Sequence, residues 1–304
     1  MAKTANPSEW TVEYERLRDL GTEKLEAGHF AEALEWFEAA FQIAEKTGDR
    51  NTIDLAFCNR AVMSVMLKKT GDWIPRLQEI LLRSSEARVA RFCAYNLALI
   101  YDGEKSFKKS LFYGRIALRY SVEMANAELQ ASAHDAIGNA LLAMNDFQAA
   151  GSEFEKSMEL LPDSSATKRA VVEANLAYSL LMRDHTDAAV SLLYRSLRHL
   201  RRHGSAYLRM GPELSLSFAL LLVNKPAKAI DHALIALEAG EELDSADTVK
   251  NALLIIGEAY KRAGDSPAAR RCFDVLQETY YPDKPEVPAM LLGLDLCKVI
   301  NLRA

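Results

Sequence analysis

The chain has 304 residues, 49% of them hydrophobic, which is ample for a continuous core and excludes a disordered polypeptide. Its 37 basic and 42 acidic residues leave a net charge of -5, so no overall positive field exists to hold nucleic acid or an anionic membrane surface. Four scattered cysteines, Cys58, Cys93, Cys272 and Cys297, show neither CxxC spacing nor the density of a disulfide-stapled domain, and read as reduced core residues.

Residues 1–9 form a short N-terminal arm without the apolar segment of a secretory signal, and no later apolar run reaches the roughly 20 residues that a bilayer span needs. A cytoplasmic protein is the expectation. From residue 10 to 281 one punctuation mark recurs seven times between amphipathic segments. The marks are Gly28-His29-Phe30, Gly71-Asp72-Trp73, Lys105-Ser106-Phe107, Asn145-Asp146-Phe147, Asp184-His185-Thr186, Asn224-Lys225-Pro226 and Gly264-Asp265-Ser266. Gly, Asn and Asp tolerate the left-handed conformation that closes a helix, so each mark predicts a corner between two helices.

A small residue precedes each corner by seven: Gly21, Ser64, Ala98, Gly138, Ala177, Ser217 and Gly257. Another follows by about five: Ala33, Ser110, Ala150, Ala189, Ala229 and Ala269, with Arg76 the exception. Antiparallel helices approach closely only where one of them contributes little bulk, so these positions predict packed hairpins. Successive repeats are spaced by 39–43 residues, save one interval of 34 after the second. That second repeat is degenerate, with Arg76 in place of a small residue and Pro75 in the first turn of its second helix.

The segment "HDAIGNALLAMNDFQAAGSEFEKSMELLP" carries the glycine, the corner, both small residues and a closing Pro162 in the order of the tetratricopeptide repeat family, which the chain resembles over residues 10 to 281. The spacing near 40 resembles the long-repeat subset, which includes Rap-type bacterial peptide sensors and LGN-like adaptors. The resemblance implies an all-α, right-handed α-α superhelical solenoid of about seven hairpins. It also implies a concave groove, lined by the first helix of each hairpin, that takes a peptide.

After Pro282 and Pro285, residues 282–304 predict a C-terminal capping helix, from about 287 to 302, over the last hairpin's apolar face. Its apolar residues lie nearly all round, so it covers that face, joins a homodimer, or occupies the groove.

Groove-facing places read off the same register are apolar in the middle of the array: Tyr95 in repeat three, Tyr178, Leu181 and Met182 in repeat five, and Leu214, Phe218, Leu221 and Leu222 in repeat six. An uncovered apolar patch of this size calls for a partner. Asn96 and Asn175 precede Leu-Ala where peptide-binding relatives of the subset use an asparagine on the ligand backbone, and Asn139 follows Gly138 in a similar place. A carboxamide donates and accepts together, which matches one peptide unit.

Catalytic and phosphate-binding signatures (GxGxxG, GxxxxGK[ST], HExxH, GxSxG) are absent from the sequence, and no cofactor or metal is implied. His199 and His203 have a metal-compatible spacing without a third ligand. Arg198, Arg201 and Arg202 stand one repeat before Glu238, Glu241 and Glu242, which predicts ion pairs between neighbouring hairpins. The sequence thus predicts a non-enzymatic adaptor that binds a protein or peptide, with a Rap-like peptide-responsive regulator or a structural homodimer through the C-terminal helix as alternatives. Nucleic acid and membrane are not expected partners.

Overall fold

The computed structural model describes residues 7–303, and the first six residues of the expected arm lie outside them. Every regular element among these residues is helical. The hairpins are α1 (Pro7–Ala27) with α2 (Phe30–Thr47), α3 (Arg50–Met66) with α4 (Trp73–Arg83), α5 (Ala87–Gly103) with α6 (Phe107–Glu123), and α7 (Ala127–Ala143) with α8 (Phe147–Leu160). They continue as α9 (Ala166–Leu181) with α10 (Thr186–His203), α11 (Ala206–Leu222) with α12 (Pro226–Glu242), and α13 (Ala246–Arg262) with α14 (Ser266–Tyr280), followed by α15 (Val287–Gly293). Seven hairpins followed by a short helix give the all-α helical-repeat fold that the sequence predicts. No helix among the described residues is long and apolar enough to cross a membrane. Two compact units divide the chain: the helices from α1 to α7 with Ser152–Pro162, and Asn145–Gly151 with the helices from α9 to α15.

Left-handed residues close the first helix of each hairpin at Gly28, Lys68, Lys105, Asn145, Asp184, Asn224 and Gly264. At most of them the next N–H reaches the carbonyl five residues back, as His29 to Lys24, Ser106 to Tyr101, His185 to Leu180, Lys225 to Leu220 and Asp265 to Tyr260. Two orphan carbonyls are satisfied this way and the chain reverses within two residues. Six of the corners fall where the sequence places them. In the second hairpin the left-handed residue is Lys68, three positions ahead of Gly71, because the Ser64 carbonyl takes the Lys69 N–H.

The small residues are packing devices. A methyl at Gly21 or Gly138 would lie 2.5 Å from the ring of Phe37 or Phe154, and one at Gly257 would be closer still to the ring of Phe273. In each case the ring stands sixteen positions after the glycine, on the partner helix. The equivalent positions elsewhere are Ser64 with Ile80, Ala98 with Gly114, Ala177 with Leu193, and Ser217 with Ala233, all buried. Where the first residue has no side chain the second is a phenylalanine, so local volume is shared out between the two helices to keep interior density; Gly114 instead faces α7, where a Cβ would stand 3.1 Å from Ile137 Cγ1. The second series is buried as well: Ala33, Ser110, Ala150, Ala189, Ala229 and Ala269. Arg76 is exposed, its guanidinium 4.4 Å over the Phe57 ring. Pro75 falls in the first turn of α4, where its missing N–H would have had no helical partner.

The terminal helix covers the last hairpin: Val287, Leu291 and Leu296 pack in one cluster with Ala269, Phe273 and Leu276. It ends at Gly293, not near residue 302 as the apolar pattern suggests. Leu294 turns extended, a 3-10 turn follows at Leu296–Lys298, and the segment beyond is non-helical.

Candidate functional site

Within the second unit, α9, α11 and α13 are the first helices of three successive hairpins, and their facing side chains converge on the chain's own residues Asn301, Leu302 and Arg303. Tyr178 of α9 is fully buried. Its hydroxyl donates to Asn301 Oδ1 at 3.0 Å and accepts the Leu302 N–H at 2.8 Å. Burial pushes this phenol up to about 12, against the opposing pull of the Leu302 N–H and the Arg303 guanidinium, so it remains a neutral donor and acceptor.

Asn175 stands three residues earlier on the same face of α9, and its Oδ1 accepts from Arg303 Nη2 at 2.8 Å. The guanidinium also lies 5.8 Å from the centre of the Tyr178 ring. From α13, Asn251 Nδ2 donates to the Leu302 carbonyl at 3.1 Å. Asn301 Nδ2 donates to Asn145 Oδ1 at 2.8 Å, and its Oδ1 also takes the Arg303 N–H, a turn that fixes the local backbone. On α11, Gly211 lies beside the guanidinium: a Cβ there would stand in ordinary contact, 3.5 Å from Arg303 Nη2. Both backbone polar groups of Leu302 are therefore held by side chains.

A separate cluster fastens the chain upstream of that segment. Lys261 donates to the carbonyls of Leu291 and Leu294. Arg262 donates to Glu258 at 2.9 Å, to the Leu221 carbonyl at 3.1 Å and to Asp295 at 2.8 Å. Glu258 is buried and also pairs with Lys261. The potential ligand atoms of Glu258, Asp295 and Cys297 lie within 4.8 Å of one another, a spacing that suits a metal. The two carboxylates are taken by Arg262 and Lys261, and burial raises the Cys297 thiol to about 11, so the arrangement is an ion-pair network.

Eight of the residues that the sequence singles out belong to this unit. Asn175 and Tyr178 hold the segment; Leu181, Leu214, Phe218 and Leu221 are buried, Met182 is half-buried and caps α9, and Leu222 is exposed. The patch expected to be uncovered is thus mostly covered, since α11 packs on α9, α12, α13 and the Leu296–Lys298 turn. Tyr95, Asn96 and Asn139 belong to the first unit. Tyr95 is half-buried under the Arg91 guanidinium at 4.6 Å, and Asn139 spends its Nδ2 on the Asp135 carbonyl of its own helix. Asn96 is buried with its Nδ2 lacking a hydrogen-bond partner among the described residues. Asn251, Asn301 and Arg303 are absent from the sequence-based site; Asn251 carried a signal, being a polar groove-facing position of the last repeat.

The basic helix α10 pairs differently from the expectation. Arg201 donates to Glu213 of α11 at 2.9 Å, a carboxylate with no exposed surface that also bonds His232 at 2.6 Å, and Arg195 pairs with Glu173 at 2.9 Å. The arginine reaches the first helix of the next hairpin, not the Glu238–Glu242 end of its second. His199 Nε2 is bonded to Thr167 Oγ1 at 3.1 Å. A cleft of about 350 Å³ lies along Tyr194, Leu197, Arg198, Arg201 and Arg202.

No family model matches the chain, and no curated protein matches it. Among solved structures it is similar to a Rap protein complexed with Competence and Sporulation Factor, with a TM-score of 0.69 at 14% identity, covering 96% of this chain and 80% of that one. NprR in complex with its cognate peptide NprX gives a TM-score of 0.66 at 12% identity, covering 88% and 81%. A tetratricopeptide repeat protein from Parabacteroides merdae gives 0.54 at 17% identity, covering 92% and 97%. The chain therefore has a tetratricopeptide-like helical repeat fold resembling that of Rap-type sensors.

Proposed function

We propose that the second unit binds a peptide in its groove and that the chain is a non-enzymatic interaction protein of the cytoplasm. The observation that carries this reading is the treatment of Leu302: Tyr178 takes its N–H and Asn251 donates to its carbonyl, so the groove has side chains placed for the backbone of an extended peptide. Similarity in fold to NprR, solved with its cognate peptide, supports the reading. The groove's carboxylates, Glu258 and Asp295, are held by Lys261 and Arg262, which favours binding over catalysis.

Selection from a phage-displayed library of random heptapeptides, on the wild type and on a variant with Asn301→Ala and Arg303→Ala, tests it. Binders should lose at least tenfold in affinity on Tyr178→Phe with Asn251→Ala, at unchanged helical circular dichroism. A library that yields no binder for either protein sinks the groove reading. A homodimer through the C-terminal end is the second reading, resting on the exposed Met290, Leu294 and Val299; light scattering that shows a monomer at micromolar concentration removes it.

A further inference from the structure

The segment that fills the groove has two parts. Residues 291–295 are fastened by Lys261 and Arg262 to the carbonyls of Leu291 and Leu294 and to Asp295, independently of anything beyond. Val299 follows with 64% of its surface exposed, a joint that packing does not fix. Past it, Asn301, Leu302 and Arg303 are half-buried and held through hydrogen bonds to Asn145, Asn175, Tyr178 and Asn251. A segment with an anchored root, an exposed joint and grip by side chains alone can leave without disturbing the helices.

We propose that Asn301-Leu302-Arg303 is a tethered pseudo-ligand, and that the groove's ligand is an extended peptide bearing a cationic side chain, which binds by displacing it. The proposal rests on the peptide-groove reading above and names the ligand class for that site. Each contact of the segment specifies a feature of the ligand. Tyr178 and Asn251 require one residue with a free N–H and carbonyl, which proline cannot supply. Asn175 Oδ1 and the Tyr178 ring face together receive a planar cation one residue further on. The preceding residue carries an amide that bonds both the Tyr178 hydroxyl and Asn145. Being tethered, the segment faces the groove at a high effective concentration, so only a ligand with contacts beyond the segment's three residues outcompetes it.

The test uses a fluorescein-labelled synthetic peptide, LSKVINLRA, which copies residues 296–304 with serine for cysteine. By fluorescence anisotropy the full chain carrying Asn301→Ala and Arg303→Ala should bind it at least tenfold more tightly than the wild type. The same peptide with alanine for its arginine should lose most of that affinity. Amide exchange on the wild type should show a protected Leu302 N–H that loses protection when a selected heptapeptide is added. Equal affinity for wild type and variant, or an unprotected Leu302 amide, overturns the tether while leaving library binders, and hence the groove, intact. Binding of the copy to neither protein also overturns it and makes the segment a structural strap.

Discussion

Volume sharing between helices is decided by single atoms here. A Cβ added at Gly257 has no room against the Phe273 ring, so Gly257→Ala should cost about 1–3 kcal/mol in urea denaturation despite alanine's better helix propensity. Gly103→Ala is the contrast: nothing stands within 4 Å of its Cβ, and the change should be neutral or stabilise by up to about 1 kcal/mol. Charge acts at this scale too. The hydrogen bond from His134 at 2.6 Å, with Lys156 beside it, lowers the Glu153 carboxyl to about 2. A depressed carboxyl contributes stability above its ordinary value near 4.5 and loses it as pH falls toward 2. Glu153→Gln should therefore melt below the wild type at pH 6, and the gap should close between pH 4.5 and 2. The glycines and their spacing were legible in the sequence because a missing side chain is a local signal. The Lys68 corner was not, because Gly71, three positions on, was the stronger lure.

Among the elements, α11 shows what a repeat register does and does not fix. Its apolar residues read correctly as a helix of the sixth hairpin, yet the same register paired Arg201 with the wrong carboxylates. Long side chains reach past the nearest equivalent position, and a buried acceptor outranks an exposed one. Glu213→Ala should cost about 1–3 kcal/mol, since it strands His232 and Arg201. Glu241→Lys with Glu242→Lys should stay within about 0.5 kcal/mol, as surface changes do; a large effect of the latter pair would reinstate the pairing read from the register. The end of α15 was illegible for a related reason. An apolar pattern past Gly293 looks helical, and what draws residues 299–303 away is a set of partners more than fifty positions upstream.

For the chain as a whole, architecture was readable and the site only in part. Seven corners and two series of small residues are repeated local signals, and repetition makes a weak motif specific. Asn175 and Tyr178, which the repeat register singled out, contact the 301–303 segment, whereas Asn301 and Arg303 were hidden, since nothing in a short polar segment announces where it docks. The apolar patch that seemed to need a foreign partner is largely covered from within, by packing of α11 and by the terminal turn. Composition cannot separate those two ways of covering a surface.

The glycine–phenylalanine pairs make the hairpins a set of incompatible keys. The second helix of the first, fourth or seventh hairpin brings a ring that needs a bare backbone opposite, and these three could be interchanged in a chimeric chain. Placed opposite Ala98 of the third hairpin, the same ring would meet a methyl group where it needs bare backbone and be held off. Shuffling or duplication of repeats along this chain is thus confined to modules of like cut, although all seven share one fold.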